Sequence, residues 1–499
     1  MRMPLRHTSR VGIALGVSGC LLAAGAAAMS SGTDDGPDRS SQRLRTARAA
    51  AAVGYVTERF GVDREEAARR LELQRDLPAL DRTLRHRLPG EYAGLWLDQK
   101  HGDVVVSTTR PERLQQAVRG LAGRTNFRPR QARWSLHDLE AAQRRLSRHL
   151  PTGPADPLSL TVDEQANKVV LYRDGTSAAT AALARPAARR ALAAEGARAR
   201  VERLPRPGVP LAGGRPAAAR PGPCYVLMCS PPMRAGLRLE VPRHKQDGSF
   251  QSYGVCTAGF NIRGIKNRRP YVLTAGHCLG KPETHTGLDH TFHMGMAVSV
   301  EDPDLLHYDL EQFYDWAIMP YENANAQKYW IDDYDAKDQA LFTAWCRSDS
   351  PQPCRSGSAP HTVSGIQSDI RNGMVVCATS AATEFAVKDN KDWFPGTRCG
   401  TVRGNNPWSV NTDICNVPGD SGAPLYDPAG DKAVGILQSG VAHAGKCTAG
   451  KQGLFTRMDW LLVKASVLVG GPDSPIGGFE AMCWRPEGAP KCGPSNPSK

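Results

Sequence analysis

No cysteine occurs between residues 31 and 223, and all but one of the chain's 13 cysteines lie beyond that stretch. A framework of disulfides running through the whole chain is thereby excluded. The 499 residues divide into a cysteine-free part and a cysteine-rich part. Long apolar runs are also scarce. Only residues 11–28 approach the length that crosses a bilayer, which excludes a polytopic membrane protein. The 49 glycines follow no three-residue period, so a collagen helix is excluded. No Cys-x-x-Cys pair appears, which argues against a zinc site, and no calcium loop is evident. No cofactor is implied, and no repeat of solenoid type is present. Hydrophobic content of 40% and charged content of 23% exclude a wholly disordered chain.

What is present begins with an export signal. Arg2, Arg6 and Arg10 precede the apolar run, Ala26-Ala27-Ala28 offers a small-residue cleavage site, and residues 30–38 are polar. Residues 1–28 are therefore expected to direct secretion to the extracellular space. The competing readings are a membrane anchor and a lipid on Cys20, since Val17-Ser18-Gly19-Cys20 resembles a lipobox. Two leucines directly after Cys20 speak against the lipid. Removing Cys20 with the signal leaves 13 − 1 = 12 cysteines, an even number suited to disulfides in an oxidising compartment. Lys+Arg 63 against Asp+Glu 50 gives a net charge of +13. The arginines of the first half read as solvated helix faces rather than a nucleic-acid surface.

At about 150 residues per domain, the length suggests two to four folded units. Residues 31–44 are Ser/Asp/Gly-rich. Asp63 followed by Glu66 predicts a capped helix over 64–74, and Ser135 followed by Asp138 predicts another running toward Leu150. Residues 93–98 and 103–107 read as one pair of strands, and 160–162 and 168–172 as a second. Residues 196–223, rich in Arg, Ala, Pro and Gly, read as a linker. After Cys224 short apolar runs alternate with turns, as in Pro270-Tyr271-Val272-Leu273 and Ala433-Val434-Gly435-Ile436-Leu437. That texture predicts an antiparallel barrel or sandwich.

The residues that carry chemistry lie in this second part. Gly419-Asp420-Ser421-Gly422 places glycines around a serine, which permits a sharp turn that exposes a hydroxyl. The N–H groups of Gly419 and Ser421 could then form an oxyanion hole. A serine needs a base, and His277 in Thr274-Ala275-Gly276-His277-Cys278 is the candidate. Asp315, in Tyr314-Asp315-Trp316-Ala317-Ile318, precedes an apolar strand and would orient that histidine. Asp309 is a nearby competitor without such a strand.

The order His277, Asp315, Ser421 resembles that of the chymotrypsin-like proteases, and residues 224 to about 470 resemble the streptogrisin and α-lytic branch of that superfamily. The resemblance rests on Cys256-Thr257-Ala258-Gly259-Phe260-Asn261, on Cys377 with Cys399-Gly400-Thr401-Val402, and on Cys415-Asn416-Val417-Pro418-Gly419-Asp420-Ser421. It implies an all-β catalytic domain of two six-stranded antiparallel β-barrels with the triad between them, preceded by a small α+β pro-region. It further implies a secreted serine endopeptidase working through an acyl-enzyme. Disulfides Cys256–Cys278, Cys377–Cys399 and Cys415–Cys447 follow from it. Cys224–Cys229, Cys346–Cys354 and Cys483–Cys492 are then expected from proximity. The resulting division is a signal peptide at 1–28, a pro-region and processing linker at 29–223, a protease domain at 224–471, and a C-terminal extension at 472–499. Expected partners are protein or peptide substrates and the chain's own pro-region, acting as folding aid and inhibitor. Neither nucleic acid nor a stable membrane partner is expected, and the protein is expected to be a monomer.

Several positions depart from the branch. The arginine that commonly pairs with the Asp before the nucleophile would stand at Ala378, so the partner of Asp420 is open. The net positive charge and Ala378 leave an inactive homologue that binds peptides or polyanions as the alternative, against which the intact triad speaks. Residues 322–360 are longer than the streptogrisin pattern. Asp413 lies where trypsin-like enzymes bind Lys or Arg, with Ser439, Gly440 and Gly453 lining the same pocket. An apolar preference is the second choice. If Arg is preferred, self-processing is expected after Arg198, Arg200 or Arg203.

Overall fold

The computed structural model describes residues 50–121, 125–152, 158–173, 177–203, 235–279 (apart from 237 and 245–249), 289–292, 296–299, 306–308, 315–320, 340–341, 361–380 (apart from 364), 396–440 (apart from 415, 417 and 418), 453–470 and 473–481. The export signal, Cys20, Asp309 and eight of the twelve remaining cysteines lie outside these residues: Cys224, Cys229, Cys346, Cys354, Cys415, Cys447, Cys483 and Cys492.

Helix α1 (Ala50–Phe60) leads into α2 (Arg64–Arg87). Asp63 has extended backbone, and its side chain accepts the Glu66 N–H, which caps α2 as expected. The helix runs to Arg87 rather than ending near residue 74, with Pro78 inside it. Ala67, Leu71, Gln74, Leu77, Asp81 and Leu84 recur every three or four residues and bury one face, and this continuous stripe carries the helix past the proline.

The next segments use one pattern twice. β1 (Tyr92–Asp98) pairs antiparallel with β2 (Asp103–Thr108), a short helix α3 (Leu114–Ala117) follows, and β3 (Phe127–Gln131) returns parallel to β2. Helix α4 (Leu136–Ser147) then starts from a complete capping box between Ser135 and Asp138. β4 (Leu158–Asp163) pairs antiparallel with β5 (Lys168–Arg173), α5 (Ser177–Ala184) and α6 (Pro186–Glu195) follow, and β6 (Ala199–Arg203) returns parallel to β5. The expectation of a linker from residue 196 is corrected here. Residues 199–203 form a sheet strand. Only Ala199 and Val201 alternate with polar residues there, too short a run to mark a strand by itself, and β5 supplies the partner that makes them one.

The second half contains β7 (Arg238–His244), β8 (Phe250–Thr257), β9 (Asn261–Gly264), β10 (Pro270–Thr274), β11 (Asp289–Phe292), β12 (Met296–Ser299), β13 (Leu306–Tyr308) and β14 (Trp316–Pro320). It continues with β15 (Ala340–Leu341), β16 (His361–Thr362), β17 (Gly365–Ile366), β18 (Val375–Ser380), β19 (Gly396–Asn405), β20 (Ser409–Thr412), β21 (Pro424–Asp427), β22 (Lys432–Gly440) and β23 (Gly453–Arg457). Helix α7 (Met458–Val469) and β24 (Phe479–Ala481) complete it. Strands β22-β21-β18-β19-β20-β23 close into a six-stranded barrel through the β22–β23 pairing. Val376, Val402, Val410, Leu425, Val434 and Phe455 fill its interior. The earlier strands, joined by β24, form a five-stranded sheet, β13-β14-β10-β9-β24, and a four-stranded sheet, β12-β11-β7-β8. β24, from the segment expected as an extension, pairs with β9 and stacks Phe479 edge-on against Tyr271.

The first half rests on this barrel. Val53 and Val56 of α1 and Leu71 of α2 share an apolar cluster with Val375, Cys377 and Tyr426. The Gln74 amide donates to Val375 O and to Asp427 Oδ1, and its oxygen accepts the Val375 N–H.

Candidate active site

Three strand ends meet at one point. β10 pairs with β14 so that Thr274 faces Ala317. His277 lies three residues past the first, and Asp315 two residues before the second. The turn that holds His277 is tied to β8 by the Cys256–Cys278 disulfide. In this arrangement Asp315 Oδ1 accepts the His277 backbone N–H at 2.7 Å, and Oδ2 lies 2.7 Å from His277 Nδ1. Asp315 is fully buried. A buried carboxylate is costly without partners, and these two contacts supply them.

Ser421 sits in the turn between β20 and β21, with its Oγ 2.8 Å from His277 Nε2. Thr257 N donates to Ser421 O at 2.8 Å, and Thr257 Oγ1 donates to Gly419 O at 2.9 Å. Gly422 requires glycine twice over. Its φ is +87°, and a Cβ there would stand 2.3 Å from Thr257 O. That close approach presses the turn onto β8 and β10, which carry the other half of the site.

Asp420 is fully buried, and Arg398 Nη2 donates to its Oδ2 at 2.6 Å. The same guanidinium reaches Ser380 Oγ. Burial pulls the Arg398 pKa below its ordinary value, against the opposing pull of Asp420. Sequence reasoning looked for this cation at position 378 and missed Arg398. A signal existed. Cys377 pairs with Cys399 across the β18–β19 hairpin, so Ala378 faces Arg398.

The four specificity candidates are placed as follows. Asp413 Oδ1 accepts the Thr401 N–H at 2.6 Å, and Oδ2 accepts Thr401 Oγ1 and Arg403 Nε, each at 3.0 Å. Its charge is thus already matched by Arg403. Tyr55 of α1 stands near it, and burial followed by the Asp413 charge raises the phenol pKa. Ser439 faces Leu454 and Gly440 faces Gly453 across the β22–β23 pairing. Gly453 packs closely on Asn416, since a Cβ there would meet Asn416 Nδ2 at 2.2 Å. Asn416 is itself buried and donates to Ile414 O. Among the described residues no group of three His, Cys, Asp or Glu side chains could hold a metal. None of the described helices is long and apolar enough to cross a membrane.

Residues 65–120 match the family described as alpha-lytic protease pro N-terminal. Streptogrisin-D from Streptomyces griseus is 26% identical over 209 residues, covering 42% of this chain and 43% of the relative. The chain thus matches under half the length of that curated relative. Among solved structures, a Nocardiopsis protease is 18% identical, with 42% of this chain and 89% of that one covered and a TM-score of 0.29. An alpha-lytic protease homologue, N4, is 20% identical, with 42% and 90% covered and a TM-score of 0.26.

Proposed function

We propose that this chain, a relative of the streptogrisin and α-lytic branch of chymotrypsin-like proteases, is an exported serine endopeptidase made as a proenzyme. The observation that supports it most is the run of contacts from Asp315 through His277 to Ser421, at 2.7 and 2.8 Å. In this reading His277 Nε2 takes the Ser421 Oγ proton as Oγ attacks the scissile carbonyl. Asp315 holds the Nδ1–H tautomer and stabilises the imidazolium that forms. The N–H groups of Gly419 and Ser421 receive the oxyanion. His277 returns the proton to the leaving amine, and an acyl-enzyme on Ser421 remains. Water, deprotonated by His277, then releases the acyl group and restores the serine.

Residues 1–28 act as the export signal, 29–223 as the pro-region that assists folding and inhibits, and 224–471 as the protease, which works as a monomer on peptide substrates. Strand β24 ties residues 473–481 to the same domain. Arg403 neutralises Asp413, so the second choice of specificity, an apolar side chain before the scissile bond, is favoured over Arg or Lys. The inactive-homologue reading rested on the net positive charge and on Ala378, and Arg398 removes the second of these grounds. Processing after Arg198 or Arg200 is disfavoured. Arg198 stacks over Trp134 at 4.2 Å, and the backbone of Arg200 is paired within β6. The cut is expected beyond residue 203, which N-terminal sequencing of the secreted form checks. The activity is tested by labelling that form with a fluorophosphonate. Labelling that vanishes in Ser421→Ala supports the reading; absence of labelling in folded, processed wild type overturns it.

A further inference from the structure

Residues 101–203 hold 18 Lys and Arg against 10 Asp and Glu, so 18 − 10 = +8 of the chain's +13 falls on this stretch. Several of these cations meet a carboxylate: Arg113 with Glu91, Arg128 with Asp98, Arg145 with Glu195, Arg200 with Asp163. Arg130, Arg133 and Lys168 make no ion pair among the described residues, and all three line one cleft of about 260 Å³.

The cleft opens where the two sheets of the first half meet. Arg130 lies on β3, the open edge of the β1-β2-β3 sheet, opposite Ser107 of β2. Arg133 lies in the junction between β3 and α4, and Lys168 starts β5 in the other sheet. The turn between β4 and β5 holds that junction. There Asn167, with φ +53°, accepts the N–H groups of Arg133 and Trp134 at 3.0 and 2.9 Å and donates to Trp134 O at 2.8 Å. Three hydrogen bonds thus fix one wall against the other.

Both guanidinium groups are held without being neutralised. Arg130 stacks over Trp96 at 5.1 Å from the ring centroid, and Arg133 over Trp134 at 4.8 Å. Stacking sets the plane of a guanidinium and leaves its N–H edges free for an anion. Neither Asp nor Glu lines the cleft, and the three cations offer donors only. Such a site fits a ligand made of acceptors. A carboxylate is planar and is matched by one guanidinium fork. A phosphoryl group is tetrahedral, with acceptor oxygens on every side, and suits cations that arrive from β3, the junction and β5 together. Three cations in one cleft call for more than one such group.

We propose that this cleft is a binding site for an oligophosphate, a ligand of consecutive phosphoryl groups, which bridges the two sheets through Arg130, Arg133 and Lys168. The site lies outside the triad and does not depend on the protease reading. Because its cations come from both sheets, an occupant stabilises the two sheets as one unit.

The test titrates the full chain carrying Ser421→Ala, kept uncut, with inorganic triphosphate by calorimetry at low salt. Circular dichroism shows which variants are folded. Saturable binding at a single site is expected, weaker at high salt. Arg130→Gln, Arg133→Gln and Lys168→Met should each weaken it by about tenfold or more, the scale of one charge-assisted hydrogen bond. Lys168→Glu, which puts a carboxylate into the cleft, should abolish it. Arg144→Ala, which removes an exposed cation of α4 outside the cleft, should change it by less than about twofold. Triphosphate should also raise the melting temperature of the parent chain and leave that of Lys168→Glu unchanged. If Arg133→Gln does not fold, Arg130→Gln and Lys168→Met carry the test from the two walls. No binding to the folded parent chain overturns the proposal. Equal weakening by Arg144→Ala marks a diffuse attraction to net charge and overturns it as well. Citrate binding as tightly as triphosphate overturns the phosphoryl assignment.

Discussion

Residues 50–203 and the barrel of β18–β23 solve the problem of stability by different means. The first contains no cysteine; two small apolar clusters, around Leu77, Leu95 and Val104 and around Leu139, Leu158 and Leu171, hold it, with caps and ion pairs such as Glu66 with Arg69 and Arg70, Arg85 with Glu140, and Arg145 with Glu195 added at the surface. Partly exposed pairs of this kind contribute little and weaken with salt. The second is a closed sheet, bridged by Cys377–Cys399 and filled with apolar side chains. Two of its pairings, β18–β21 and β20–β23, join strands that are not consecutive, and such non-local pairing slows folding. Under the proposed function, the contrast suits a part that assists folding and is removed, joined to a part that remains.

The sharpest separation of the two halves comes from Ser421→Ala in the full chain. It should abolish fluorophosphonate labelling and lower kcat by on the order of a millionfold, leaving both halves in one polypeptide if processing is autocatalytic. Hydrogen exchange on that chain should show amides of Val376 and Val434 opening on the order of 100-fold more slowly than those of Val105 and Val170. Equal protection would break the comparison.

A smaller effect is expected where the halves touch. Gly373 has φ +86°, and a Cβ there would stand 2.4 Å from Leu97 O in β1. Gly373→Ala should therefore loosen the contact by about 1–3 kcal/mol, read as faster removal of residues 50–203 by added protease.

Next comes a pH dependence. Glu164 lies against Arg371, with its Oε2 3.2 Å from Nη1, and burial raises its pKa to about 7 despite that arginine. A raised carboxyl favours the docked state when protonated. The contribution is complete below about pH 4.5, the unfolded value, and is lost as pH rises to about 7. Exchange of the Leu95 N–H, which donates to Glu164, should quicken across that window in wild type and stay flat in Glu164→Gln. The smallest effect is Ser135→Ala, which removes a capping box and should lower the melting stability of the first half by about 1 kcal/mol without touching the barrel.

Local signals were legible wherever the cause is local. The caps at Asp63 and Ser135 were readable because a side chain bonds a backbone N–H three residues on. The hairpins β1–β2 and β4–β5 were readable because their apolar runs sit close together. β3 and β6 were not, because a parallel third strand depends on a partner reached only after a helix. Arg398 and Arg403 escaped notice for a similar reason. Each matters through a carboxylate more than nine residues away, across a hairpin or a strand end.

The sequence by itself determined which residues could do chemistry: His277, Asp315 and Ser421 stand in motifs whose turns and flanking strands are short-range properties. It also determined that the chain has two parts of unlike character, since cysteine content is a matter of composition. Only the tertiary structure decided which charges meet. Asp420 is met by Arg398 rather than by position 378, Asp413 is matched by Arg403, and Gln74 binds the first residue of β18. Charges and amides act over a few ångströms of space, and pairing across strands, not order along the chain, sets those distances.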